Sequence, residues 1–290
     1  MRAKAPLRIT FAGGGTDIEP YISDYGSYVL SAAIRLYARA TYSMNYQPQN
    51  EVERILAEMA GKGGIRIIND SHPASGLGAS ASSFVAGLKA LYPTLSKDQI
   101  AQLAFYLERK VMQIPGGKQD QYCAAHGGVL FMTFEGQGVE TTALDMPDGL
   151  VRLLLLIYTG ERGKSGDEIL DDQMKRYNVR ALHHQKQIAK SMRDSLLQTD
   201  IKGFGKLLHE AWQCKREFTP LVSNDRVEDL YAKCLSLGAI AGSIMGAGAG
   251  GYMLLMENPE TEGELRNNLI KNKIPYQNIE LDTVGVQEVE

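Results

Sequence analysis

The sequence predicts a two-domain α+β protein, and three observations carry that reading. Its 290 residues exceed the commonest size of a single domain. Strand-like and helix-like patterns are mixed in both halves instead of alternating strictly. Composition shifts near residues 140–150, which places a boundary between residues 1–148 and 149–290.

The elements follow in order. Residues 7–12 alternate as a strand and run into Gly13-Gly14-Gly15-Thr16-Asp17, a turn that needs glycine-like backbone freedom. Residues 28–42, rich in β-branched and aromatic side chains, predict one or two strands. Residues 64–68 predict another strand. A Gly/Ser loop, Ser75-Gly76-Leu77-Gly78-Ala79-Ser80, opens a small-residue helix over 82–91. Ile100, Leu103, Ala104, Leu107 and Val111 share one helical face and predict a helix over 97–112. Pro115-Gly116-Gly117 breaks it, and a short helix (120–125) and a strand (128–134) follow. In the second half, 151–158 reads as a buried strand. Ser165 and Glu168 form a capping box that opens a helix near 166. Long helices run to about 238, then a second glycine loop (246–251) and a strand (252–256). There is no internal repeat and no low-complexity linker.

Bulk properties exclude several classes. The chain is 44% hydrophobic, and 31 basic residues against 34 acidic ones leave a net charge of −3. No basic stripe is present, so nucleic acid is not expected as a partner. The most apolar stretch, 150–158, contains Arg152 and is too short for a membrane span. Three cysteines, Cys123, Cys214 and Cys234, show no metal-ligand spacing, and the N-terminal run does not read as a signal peptide. A cytoplasmic protein with free thiols is expected.

The Gly/Ser loop carries chemistry. A glycine loop opening a helix aims several N–H groups at one point, and the helix dipole favours an anion there. The hydroxyls of Ser75, Ser80, Ser82 and Ser83 are placed to reach phosphate or magnesium. No Gly-Lys-Ser/Thr closes the loop, so it is not a Walker P-loop. The segment resembles the second motif of the GHMP kinases, the superfamily of galactokinase, homoserine, mevalonate and phosphomevalonate kinases. Residues 5–17, Ala-Pro-Leu-Arg-Ile-Thr-Phe-Ala-Gly-Gly-Gly-Thr-Asp, resemble its first motif, and Gly246-Ala247-Gly248-Ala249-Gly250-Gly251 its third. Gly117-Lys118-Gln119-Asp120-Gln121 and residues 159–173 resemble the heptose 7-phosphate kinase branch.

That resemblance implies a fold, an activity and roles. The fold is an N-terminal ribosomal-protein-S5-domain-2-like nucleotide domain followed by a ferredoxin-like domain. The activity is ATP-dependent phosphorylation of a sugar or sugar phosphate hydroxyl, with Mg2+. Ser75, Gly76, Leu77, Gly78, Ala79, Ser80, Ser82 and Ser83 would bind ATP. Ser80 and Glu108 would hold the metal. Asp120 would lie beside the acceptor hydroxyl, with Arg8 pairing it or facing the transferred phosphoryl group. Gly15, Thr16, Asp17, Arg162 and Gly248 would contact the acceptor, and Lys164 and Ser165 lie in the same segment as Arg162. A homodimer is implied by analogy.

Each residue also has a plainer reading: Asp120 as a helix cap, Glu108 as a solvated helix residue, Arg8 as a structural ion pair, Asp17 as a turn residue. Several positions depart from the family pattern. Ala79 replaces the first serine of a pair, Ser243 stands where a lysine is usual, Lys118 neighbours Asp120, and His72-Pro73-Ala74 replaces Pro-Pro-Gly. The spacing between the first motif and the phosphate loop is short. Alternative acceptors are another sugar, a cyclitol or a mevalonate-type alcohol. A sugar- or nucleotide-binding sensor without catalysis is the alternative from another class. The third motif also satisfies Gly-x-Gly-x-x-Gly, but a strand follows it, against a dinucleotide fold.

Overall fold

The computed structural model describes residues 1–136 and 138–289. Its elements are β1 (Arg2–Ala12), α1 (Tyr21–Tyr25), β2 (Ser27–Ser43), α2 (Glu51–Ala60), β3 (Gly64–Asn69), α3 (Ala79–Leu91), α4 (Lys97–Tyr106), α5 (Gln119–His126), β4 (Val129–Glu135) and β5 (Gly138–Leu144). The second half adds α6 (Asp148–Arg152), β6 (Leu154–Tyr158), α7 (Gly166–Arg176), α8 (Val179–Leu197), α9 (Ile201–Arg216), α10 (Asp225–Ser236), β7 (Ala239–Ile244), β8 (Tyr252–Glu257), α11 (Glu264–Lys271), β9 (Tyr276–Asn278) and β10 (Gln287–Val289).

The strands form two sheets. The first runs β10-β1-β2-β4-β5, with β3 on the distal half of β2; the second runs β7-β8-β6-β9, with antiparallel neighbours. In chain order the second is a β-helix-β-β-helix-β unit with strand order 2-3-1-4, the ferredoxin-like arrangement. The expected boundary lies between the sheets, yet β10 returns to pair with β1, so residues 149–290 supply strands to both.

A fault in the β1–β2 ladder decides which way the first motif points. Pro6 pairs with Tyr37 but Leu7 with Ile34, so β2 carries extra residues there. Before the bulge, Ala3 and Ala5 pack with α2, α3 and α4 in one core; beyond it, Leu7, Ile9 and Phe11 join the core shared with the second sheet. The bulge thus exchanges the faces of the strand. Arg8 and Thr10 consequently turn toward α5, where they bond Asp120 and Gln119. The shared core contains Leu154–Ile157, Phe204, Trp212 and Met253–Met256, all buried, and binds the two layers together.

Residues 28–42 lie in a single strand of 17 residues, Ser27–Ser43, within the one or two expected. Several other elements differ from expectation. The helix expected over 97–112 is α-helical only to Tyr106. It then widens to a π-turn, Leu107–Val111, in which Met112 N–H reaches Leu107 O at 2.9 Å. Helix α3 begins at Ala79, directly after Gly78 at φ +75°. Helix α2 and the edge strand β5 have no counterpart among the expected elements. β5 buries almost nothing, so its residues lack the apolar alternation that marks a strand. The capping box at Ser165 and Glu168 is formed in both directions, at 3.1 and 2.9 Å.

Candidate active site

The three glycine-rich segments converge on one cleft of about 300 Å3 between the sheets. The loop before α3 and the loop after β7 cross in direct contact. A Cβ on Gly76 would lie 2.3 Å from Met245 O, and one on Gly246 would lie 2.7 Å from Gly76 Cα. Both glycines have left-handed φ, +79° and +67°. Glycine is required at this crossing on both grounds.

Arg8 reaches the same point. Its backbone N–H donates to Leu77 O at 3.0 Å and its Nη1 to Gly76 O at 2.5 Å. Its Nε and Nη2 grip the Asp120 carboxylate in a two-point fork of 2.7 and 2.8 Å. That fork is the strong form of an arginine–carboxylate pair and fixes the orientation of the Asp120 side chain. Asp120 stands in the first turn of α5, whose entry is set by Asp17. Asp17 is buried and accepts from Gln119 N–H and from Gln119 Nε2, each at 3.1 Å. A Cβ on Gly117 would overlap Asp17 Oδ2 at 1.9 Å, so the Gly-Gly break lets Asp17 approach. Burial, above all, pushes the Asp17 pKa up, with the Asp120 charge adding to it and the Gln119 N–H opposing it.

Glu108 projects from the π-turn, a distortion often found at functional sites. It is 4% exposed. Gln121 Nε2 donates to it at 2.5 Å, Arg109 Nη1 lies 3.4 Å away, and the Ser80 hydroxyl bonds it as well. Desolvation pushes its pKa up, against the lowering effect of Arg109 and Ser80. Beside it, Gln121 Oε1 is buried and has no hydrogen-bond partner among the described residues. No group of three His, Cys, Asp or Glu that would hold an ion is found among the described residues. The donors present are hard oxygens few in number, which suits Mg2+ completed by phosphate oxygens and water, not an all-protein cage.

Other expected contacts are redirected. Ser82 and Ser83 do not face the cleft: Ser82 Oγ donates to Pro6 O at 2.8 Å and Ser83 Oγ to Ala79 O at 2.7 Å. Leu77 packs into the core, and Ser75 Oγ accepts from Leu77 N–H at 3.3 Å within the loop. Thr16 is buried and closes the first turn by donating to Gly13 O at 2.7 Å, so it is a turn residue and not an acceptor contact. Gly248 is pressed against Val222, with the place of a Cβ 2.4 Å from Val222 O, away from the cleft lining. Lys118 lies 5.3 Å from the Phe105 ring centroid, where burial lowers its pKa. Gly15, Asp17, Arg162, Ser80, Glu108 and Asp120 all line the cleft.

Residues not named as site candidates from the sequence also enter. Gln173 on α7 donates to Gly15 O at 2.9 Å, and Asp167 of the same helix lines the cleft. Arg109 holds the break before α5 through Ile114 O and Gly117 O. Lys215 arrives from the end of α9 and donates to Ile244 O and Gly246 O at 2.7 and 2.6 Å. A lone lysine in a long amphipathic helix gives no sequence signal for this.

A cleft built from three glycine segments, an aspartate held in an arginine fork, and a buried glutamate beside a loop serine is the layout of a phosphotransferase. The chain belongs to the GHMP kinases: residues 30–128 match the GHMP kinases N terminal domain and residues 192–274 the GHMP kinases C terminal domain. It is 29% identical to the D-glycero-alpha-D-manno-heptose 7-phosphate kinase of Campylobacter jejuni subsp. jejuni serotype O:2, over 99% of this chain and 98% of the relative. It superposes on the crystal structure of a D-glycero-D-manno-heptose 1-phosphate kinase from Bacteroides thetaiotaomicron with TM-score 0.78 and 26% identity, covering 100% and 98% of the two chains. The galactokinase of Lactococcus lactis, crystallised with galactose, shares the fold at TM-score 0.72 and 17% identity, over 99% and 95%. The chain is therefore an ATP-using kinase. No helix among the described residues is long and apolar enough to cross a membrane.

Proposed function

We propose that this kinase transfers the terminal phosphoryl group of ATP to a hydroxyl of a sugar phosphate, with a heptose 7-phosphate as the leading acceptor. The observation that carries the reading is the Arg8–Asp120 fork set directly against Gly76 of the phosphate loop. It puts a carboxylate able to accept or orient the acceptor proton next to the place where loop N–H groups would hold the phosphates. The near full-length likeness to the Campylobacter heptose 7-phosphate kinase supports the acceptor class. Asp17 and Gly15, which line the same cleft, suit a polyhydroxylated ring, since a carboxylate accepts from two vicinal hydroxyls.

In this reading Ser80 and Glu108 hold Mg2+ with the nucleotide phosphates. The ion would supply charge neutralisation to the leaving group. Arg8 holds Asp120 in place through its two-point fork, and the N-terminus of α3 receives the phosphates. A division at 148/149, a cytosolic setting and a homodimer belong to the same proposal by family analogy.

Coupled ADP release over a panel of heptose, hexose and cyclitol phosphates and their unphosphorylated forms tests it. A phosphorylated heptose should give the highest kcat/KM, and Asp120→Asn should lower kcat about 100- to 10,000-fold. If no member accelerates ADP release, or if Asp120→Asn is as active as the parent, the reading fails.

A further inference from the structure

Three cations meet where the two glycine loops cross. Arg8 comes from β1, Arg162 from the loop ahead of α7, and Lys215 from the end of α9. Arg8 Nη1 bonds Gly76 O, the place of a Cβ on Gly76 lies 2.8 Å from Arg162 Nη2, and Lys215 Nζ bonds Gly246 O. All three line the cleft. Among the described residues, only Arg8 of the three forms an ion pair with a carboxylate, that of Asp120. Arg162 Nε is buried without a hydrogen-bond partner among the described residues. Lys215 forms no ion pair among the described residues, and its contacts are the two carbonyls of Ile244 and Gly246.

We propose that Arg162, Lys215 and Arg8 form a seat for a tetrahedral phosphate dianion at the loop crossing, and that Lys215 gains a proton from solvent as the anion enters. The seat itself stands on this geometry; it rests on the kinase reading only for the source of the phosphate. Two of the N–H bonds of Lys215 are committed to carbonyls. A neutral amine has only those two, whereas an ammonium has a third, directed donor. Without an anion the third proton meets two neighbouring cations and little water. Desolvation first, then the charges of Arg8 and Arg162, bring the Lys215 pKa down to about 7. Burial and Arg8 likewise lower that of Arg162. The elements packed on Lys215 bring no compensating charge. β1 presents Arg8 with Asp120 bound to it, β7 presents Ser243 and the Ile244 carbonyl, α8 presents Gln185, and the approach to α7 presents Arg162 with Asp167 beyond it. A dianion inverts that balance and favours the protonated lysine. The phosphate is either the terminal group of the nucleotide or one carried by the acceptor. The chemistry of the seat is common to both.

Sulfate is a suitable probe because it stays a dianion over the working range. Isothermal titration of the full-length protein with sodium sulfate, at fixed ionic strength, compares pH 6.0 with pH 8.5. With a lysine titrating at about 7, the protonated form falls to about one in thirty at the higher pH, so affinity should drop about 30-fold. Lys215→Met should bind weakly at both values, and Lys215→Arg should bind tightly at both. A parent protein with no pH slope, or a slope that survives in Lys215→Arg, overturns the proposal. Lys215→Arg alone suffices should the methionine variant not fold. The sources separate in a second arm. Weakened ATP relative to ADP in the Lys215 variant assigns the seat to the nucleotide. A raised KM for phosphorylated but not unphosphorylated acceptor assigns it to the acceptor. No change in any of the four ligands overturns it. Sulfate binding needs no turnover, so failure of the seat and failure of the kinase reading give different results.

Discussion

Replacing Gly76 by alanine tests whether the loop crossing holds the cleft together. Two effects add. The left-handed φ of +79° disfavours any Cβ by about 1 kcal/mol. The new methyl would also stand 2.3 Å from Met245 O and 2.8 Å from Arg162 Nη2, against an ordinary contact of 3.4 Å or more. One loop must therefore retreat by about 1 Å, and overpacking of this kind costs about 1–3 kcal/mol. The sum is about 2–4 kcal/mol. Gly61→Ala is the matched control: φ is +70°, and nothing lies within 4 Å of its Cβ position, at the exposed end of α2. It should lose only the conformational share, about 1 kcal/mol, or about 2–4 °C in Tm for a chain of this size. Urea unfolding and differential scanning calorimetry read both variants. Titration with ATP reads the site, where a shift of about 1 Å in the phosphate cradle should weaken binding at least about 10-fold in Gly76→Ala and leave Gly61→Ala unchanged. Equal Tm values and equal ATP affinity in the two variants would refute the steric account of the crossing.

Other outcomes follow from the same geometry. Glu108→Gln replaces a buried carboxylate whose ionised form is penalised by desolvation, so the unliganded protein should be at least as stable as the parent. The extra Tm that Mg2+ adds to bound ATP should disappear, and activity should fall about 100-fold or more. Ser80→Ala should reproduce the loss of the Mg2+ effect, because its hydroxyl is the loop's partner to Glu108. The Lys215 amine titrates at about 7 when folded against 10.5 in a model peptide. Between those values the unfolded chain binds more protons, so the unliganded protein should gain stability as pH rises from about 7 to 10.5. Lys215→Met should flatten that rise in urea titrations, and an unchanged slope would remove Lys215 as its source.

The sequence by itself determined the chemistry of the three motifs and much of the element order. The glycine loop ahead of a helix announces anion binding because only backbone N–H groups and the dipole are needed. The helix at 166 was legible from its capping box, and β6 from its apolar run, since both signals are local. Ser80 was nameable from the loop it stands in, but Arg8, Asp120 and Glu108 only through the motif resemblance, because a single charged residue on a helix or strand carries no local signal of its role. Tertiary structure decided the rest. The β-bulge between Pro6 and Leu7 turns Arg8 toward α5, and no propensity reveals a two-strand register. The buried turn of Thr16, the inward bonds of Ser82 and Ser83, and the Gly248–Val222 contact remove residues that motif matching had placed at the ligand. Lys215 enters the cleft from some 30 residues before the loop it supports, where its position on α9 resembles that of any solvated lysine. Its neighbours are set by the packing of α9 on β7, a non-local fact. Which hydroxyls and cations meet an anion is a property of which elements cross, and the chain specifies that only once both sheets share their core.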